Sequence, residues 1–371
     1  MKKIIATLFF ILFLATTNSA LAQPQIQNSP VQNFPDEFYK AEVINALDAE
    51  KTEDGRPTQR VEVEILNGAE KSKKVLIEQG TAVSIAENQK VEKGSKIIIT
   101  KTYDGEGNPT YYINDTYRLT GVFIIAAIFF ALAAFFGRKK GIASILGLVF
   151  SILVLIKFVI PQIVEGHNPL LISLIGAFII AVISIYLAHG FNKKSTIALV
   201  STLITLGIAA GLSIIFISLS KLTGIGTEEA FYLQMNLEFL NAKGFLLGGI
   251  IIGVLGVLDD VTTAQVATIY EIHDANPNLN FSQLYKKGIS VGKEHIASLV
   301  NTLALAYAGA SFPILILFAI DKNLPLWVNL NNEYVIEEII RTLVGSTALI
   351  FAVPIATFLA VRSVQKKSLR R

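Results

Sequence analysis

The chain has 371 residues, of which 52% are apolar and 16% charged, and its mean hydropathy is +0.54. Soluble domains carry roughly 25% charged residues, so a soluble enzyme is excluded, and a net charge of +3 offers no basic face for nucleic acid. The absence of cysteine removes disulfides, thiolate catalysis, zinc fingers and iron–sulfur clusters, and the four histidines are scattered, so no cofactor or metal is expected.

The first 22 residues have the form of a secretory signal. Lys2 and Lys3 precede an apolar run from Ile4 to Ala15, and Ala20-Leu21-Ala22 is a small-x-small cleavage site before Gln23. The run is shorter than the roughly 20 residues a span needs, which favours cleavage over an uncleaved anchor. Residues 23–35, rich in Gln, Asn and Pro, form a linker.

Residues 36–117 alternate short β-like runs with turns. The runs are Tyr39 to Leu47, Gln59 to Leu66, Lys74 to Glu78, Lys96 to Tyr103 and Thr110 to Ile113. Val61, Val63 and Ile65 alternate with Glu62 and Glu64, the period of a strand with one wet face. A small open barrel of OB or SH3 type is expected outside the membrane, with no catalytic cluster and with a role in binding an envelope partner.

The remainder reads as an all-α bundle spanning a bacterial plasma membrane seven times, over residues 119–136, 142–160, 170–188, 197–219, 244–270, 296–320 and 334–361. Lys and Arg set the threading. With the β domain outside, the inner loops hold Arg138, Lys139, Lys140, Lys193, Lys194, Lys286, Lys287 and Lys293, and the tail 362–371 is basic. The outer loops hold only Lys221, Lys243 and Lys322, as the positive-inside rule requires.

Chemistry concentrates in the fifth span. Asp259 and Asp260 lie about 23 Å along the helix from Gly244, and a bare carboxylate in the bilayer costs at least about 2.5–3.5 kcal/mol. Gly249, Gly253, Gly256, Asp260, Thr263 and Ala267 recur at helical steps of three and four, a small-residue face on which a neighbouring helix could close. Asp260 is therefore expected against protein, with Asp259 about 100° away. Low dielectric and an adjacent acid both favour the neutral carboxyl, which points to proton uptake and release; the competing reading is an acid that only locks helices together.

The sixth span carries His295, Ser298, Thr302 and Gly309 on a second small and polar face, with Asn301 beside it. His295 is read either as an interfacial histidine or as a proton relay. Phe281, Leu284, Tyr285 and Gly288 alternate with Lys286 and Lys287 as an inner-surface helix or a solvated connector would. Glu337, Glu338 and Arg341 are placed to pair locally, and 220–243 forms a re-entrant or surface segment.

GVLDDVTTAQVATIYEI, the following Asn276-Pro277 and VGKEHIASLVNTLALAYAGASFPILIL from Val291 to Leu317 resemble the YibE/F-like family of bacterial multispanning membrane proteins, over nearly the whole chain. That resemblance implies membrane character and no particular activity. A fainter one, carried by Asp259, Asp260, Glu271, Thr302 and Pro313, is to one half of the RND and SecD/SecF proton-driven exporters. No internal repeat, large outer domain or intramembrane Lys accompanies it, so on this resemblance a homodimer or a second membrane subunit would complete the unit. The expected function is a proton-coupled transporter or exporter component in the lipid bilayer. The alternative is a non-transporting envelope scaffold acting through its β domain; an enzyme lacks a nucleophile, a metal cluster or opposed carboxylates.

Overall fold

A computed structural model describes residues 37–49, 57–80, 85, 89–104, 107–236, 241–320 and 324–368. The expected signal segment and linker lie outside the described residues. The chain divides into two compact units, with the boundary between Ala131 and Leu132.

In the first unit all five expected strands form: β1 (Glu37–Ala49), β2 (Thr58–Ile65), β3 (Lys74–Gln79), β4 (Lys96–Tyr103) and β5 (Pro109–Thr116). They make one antiparallel sheet in the order β3-β2-β1-β4-β5, curled into a half-barrel so that its edges approach each other. The period-two pattern sets the register. Val61 and Val63 face inward and pair with Ala46 and Val43, while Glu62 and Glu64 take the wetter face. Tyr39, Ala41, Ile65, Ile97 and Ile99 complete the buried layer.

From Leu119 onward the chain is helical. Five stretches are long and apolar enough to cross a membrane: Leu119–Val164, Pro169–His189, Lys193–Leu219, Ala242–Ala275 and Glu333–Gln365. A sixth is a bent pair, so the seven runs read from hydropathy fall within five stretches and one bent pair. The first two expected spans belong to one stretch. It comprises α1 (Leu119–Val154), a π-helical turn at Leu155–Val159 and α2 (Ile160–Val164). The stretch is nevertheless broken at Arg138, whose φ of 48° and ψ of −131° are not helical. A Cβ on Gly141 would fall 2.0 Å from the carbonyl oxygen of Ala133, a closeness that residues eight apart in a straight helix never reach. Phe123, Ile125, Phe135 and Phe136 along α1 stay exposed, as on a surface that meets hydrocarbon.

Next come α3 (Pro169–His189), α4 (Lys193–Leu219), α5 (Glu228–Asn236) and α6 (Ala242–Ala275). The rest are α7 (Phe281–Ala310), α8 (Phe312–Ile320), α9 (Leu326–Leu330) and α10 (Glu333–Ser368). Asparagine starts four of these helices. Asn168, Asn192, Asn241 and Asn280 each accept a hydrogen bond from the amide three residues on, and Gln283 Oε1 accepts from the Asn280 amide, completing a capping box. Residues 281–288 are the first turns of α7 rather than a separate inner helix or connector. The sixth span is interrupted. Pro313 has no amide proton to continue the ladder, and α7 and α8 meet at Ser311 with a bend of 63°.

α6 is the central helix, packed against α3, α4 and α10. Its inner face carries the bulky residues Ile250, Val254, Leu258, Val261 and Ile269, so it buries far more area than a glycine face could.

Candidate functional site around the paired aspartates

The face chosen by α6 reverses the expected order of the two acids. Asp259 is half-buried, and Ser184 Oγ of α3 donates to its Oδ2 at 2.6 Å; Asp260 is exposed. Small residues at helical spacing mark a face but not the inner one, and here the aliphatic face outcompetes it. Gly249 and Gly256 have open space where a Cβ would stand, as does Gly309 on α7, while Gly253 faces only the Tyr307 hydroxyl at 3.4 Å. The Thr263 hydroxyl is enclosed and without a hydrogen-bond partner among the described residues.

Ser184 lies five residues before the end of α3, about 7.5 Å along the helix, so Asp259 sits one to two turns inside the end that carries His189. His189 is exposed and within electrostatic reach of Asp259. Ser184 and His189 were not singled out from sequence. The one signal for them was the polar Ser184 within a largely apolar run, a turn and a half from a histidine at its end.

A ladder of enclosed hydroxyl and amide groups continues along α6 from Asp259. Thr262 and Thr202 share a hydrogen bond of 2.6 Å, and Gln265 Nε2 donates to the Gly288 carbonyl at 2.9 Å and to Thr357 Oγ1 at 2.8 Å. Farther on, the Tyr270 hydroxyl meets Ser363 Oγ at 2.9 Å, and Lys194 pairs with Glu271 at 3.3 Å. α4, α6, α7 and α10 are thereby tied by polar contacts, of which those of Thr202, Thr262 and Gln265 are fully buried. Replacing Thr202 by valine is expected to cost about 0.6 kcal/mol, the usual worth of such a bond in a bilayer; a double-mutant cycle with Thr262→Val in detergent-titrated unfolding measures the coupling.

Among the described residues, the polar face of α7 makes no hydrogen bond to the acids. Asn301 and Thr302 are exposed, Thr302 Oγ1 donates to Ser298 of its own helix at 3.0 Å, and His295 is half-buried without a bond to Asp259 or Asp260. α7 instead packs mainly on α10, and its close approach uses Gly288 and Gly292. A Cβ at Gly288 would meet Ile269 Cδ1 at 2.1 Å, and one at Gly292 would meet Val353 Cγ1 at 2.3 Å. At the other end of the bundle Glu338 and Arg341 pair locally at 2.9 Å, as expected, whereas Glu337 accepts from the Gly226 amide at 3.1 Å. Glu333 accepts from the Thr223 and Gly224 amides and from the Thr223 hydroxyl. Among the described residues no three His, Asp or Glu side chains converge to hold a metal.

The β unit holds a charged cluster that its sequence did not announce. Glu70, on the β2–β3 loop, accepts from Lys73 at 2.9 Å, Lys101 at 2.7 Å and the Tyr111 hydroxyl at 2.6 Å. Burial opposes its charge, but these three donors outweigh burial and hold the carboxyl at about 2. A depressed acid stabilises the folded form above its unfolded value of 4.5 and loses that contribution as pH falls toward 2. The loss should be on the order of 2 kcal/mol for this partly exposed group. Peptide-resolved hydrogen exchange of residues 37–116, corrected for intrinsic rates, is expected to show this loss between pH 4.5 and 2 and to show it flattened in Glu70→Gln.

No curated protein and no solved structure matches the chain. The family model of YibE/F-like proteins matches residues 125–366, and that of the YibE/F family N-terminal domain matches residues 39–116. With both units covered in their expected order, the chain belongs to the YibE/F-like family of membrane proteins.

Proposed function

We propose that the protein is a proton-coupled membrane transporter or exporter component in which Asp259 is the group that takes up and releases the proton. The observation that carries this reading is an aspartate in the central helix, half-buried and hydrogen-bonded to Ser184 across a helix interface. Ionisable groups inside spans are expensive, and they recur where charge is moved. His189 stands between Asp259 and the helix end and serves as the entry point for protons from that side. Neutralising Asp259 alters what Ser184 must satisfy, and this couples protonation to the packing of α3 on α6.

In this reading the break at Arg138 separates two spans, so the chain crosses seven times after a cleaved signal, with an OB- or SH3-like domain outside and the basic tail in the cytoplasm. Asp260 and the open glycine face of α6 meet a second copy or another membrane subunit. The test is proton flux into vesicles holding the reconstituted protein and an entrapped pH dye. Wild type is expected to dissipate an imposed pH gradient, and Asp259→Asn to slow this by about a hundredfold, the loss of an essential proton carrier. Equal flux in the two proteins would remove the proposal and favour an envelope scaffold that acts through its β domain.

A further inference from the structure

The first turns of α7 carry a basic face that the proposed proton chemistry does not use. Lys286, Lys287 and Lys293 are all exposed, and among the described residues none of their ammonium groups meets an acid. Lys293 follows Lys286 by seven residues, about 20° short of two full turns, so the two stand on one stripe about 10 Å apart with the exposed Ser290 between them. Lys287 lies about 100° around the helix. The acids nearby leave this stripe positive: Glu271 pairs with Lys194 at 3.3 Å. Glu294 points about 100° away from Lys293, and Asp274 lies almost a turn beyond Glu271 on α6.

Packing on α6 fixes the depth of the stripe. Gly288 lies against Ile269 and Gly292 against Gln265, so the two helices run antiparallel, with Lys286 level with Glu271 and Lys293 about 10 Å deeper. Glu271 is the first charged residue of α6 after Asp260, so Lys286 stands at the edge of the apolar stretch and Lys293 leaves its helix inside it. A helical side chain leans toward the start of its helix, which carries the Lys293 ammonium up toward the level of Lys286 while its stem stays in hydrocarbon. Farther inward the same stripe continues as the exposed Ala297, whose methyl leaves room for a chain. Two unpaired cations that straddle the hydrocarbon edge fit an anion that is itself anchored in hydrocarbon, and a serine hydroxyl between them adds a donor.

We propose that this face of α7 binds an anionic phospholipid, its phosphate held between Lys286 and Lys293 with Ser290 Oγ donating, and its acyl chain descending past Ala297. The lipid then braces from outside the junction of α6, α7 and α10 that Gly288 and Gly292 close from inside. In the test, the full chain in neutral detergent is titrated with dioleoyl phosphatidylglycerol or dioleoyl phosphatidylcholine, and bound lipid is counted by native mass spectrometry. Wild type is expected to bind the anionic lipid roughly thirtyfold more tightly, the worth of two lysines at an anionic surface. Lys293→Gln should cut this preference about fivefold, the double variant Lys286→Gln/Lys293→Gln should abolish it, and Lys287→Gln should keep it within about twofold. Circular dichroism identifies a variant that has merely lost its fold. Equal binding of the two lipids by wild type, or a preference that survives in the folded double variant, would overturn the site. A preference lost as fully in Lys287→Gln would replace it with a diffuse basic surface, and displacement of the lipid by an equal concentration of soluble glycerol phosphate would assign the cations to a free anion instead.

Discussion

Gly292→Leu is expected to destabilise the helical unit by about 3 kcal/mol or more, at the upper end of what overpacking costs. A Cβ there already lies 2.3 Å from Val353 Cγ1, and valine is fixed at its single side-chain torsion, so the neighbour cannot swing away. Gly292→Ala adds only the Cβ, and about 1 kcal/mol of helix propensity offsets part of that clash, so it should cost less than the leucine, which carries three more carbons into the same contact. Gly288→Ala should cost about as much as Gly292→Ala, because the terminal methyl of Ile269 can move aside but Cγ2 of β-branched Thr357, at 2.9 Å, cannot. Gly256→Ala, with nothing near its Cβ, is expected to be neutral or slightly stabilising. Unfolding by added denaturing detergent, followed by circular dichroism, ranks the four. If Gly256→Ala disrupts the protein as much as Gly292→Leu, the packed and open faces of α6 and α7 have been exchanged.

Gln265→Leu is the second large effect. The amide is fully buried and holds the Gly288 carbonyl and Thr357 together, so leucine leaves the Thr357 hydroxyl to its own helix and deprives a carbonyl at the α6–α7 contact of a donor. Each bond lost costs about 0.5–1.5 kcal/mol, and removal of the amide oxygen, which is without a partner among the described residues, offsets part of this. A loss of about 2 kcal/mol is expected in the same titration, with faster exchange confined to α7 and α10. A neutral Gln265→Leu would mean that Gly288 and Gly292 hold that junction by packing alone.

The strands were legible because one wet face imposes strict alternation, and Val61 to Ile65 display it without interruption. The ends of the third, fourth and fifth spans were legible to within about five residues, whereas the sixth begins well before its expected start, and the asparagine caps at 168, 192, 241 and 280 carried further information that hydropathy does not use. The inner face of α6 was not legible. Glycines permit close approach but do not compel it, and bulky aliphatics at the alternative positions bury more surface. The separate inner helix expected at 281–288 disappeared because the capping box at Asn280 starts a helix that nothing ends before Ser311. Glu70 illustrates the remaining gap: its partners Lys101 and Tyr111 are more than thirty residues away, and only the sheet order makes them neighbours.

The central claim is that Asp259, rather than Asp260, changes protonation under working conditions. Infrared difference spectra of the carboxyl stretch, taken on the protein in lipid between about pH 5 and 9, test it directly in wild type, Asp259→Asn and Asp260→Asn. The account predicts a pH-dependent carboxyl band that vanishes in Asp259→Asn and persists, shifted, in Asp260→Asn. A band that survives Asp259→Asn, or the absence of any titrating band in wild type, would contradict it.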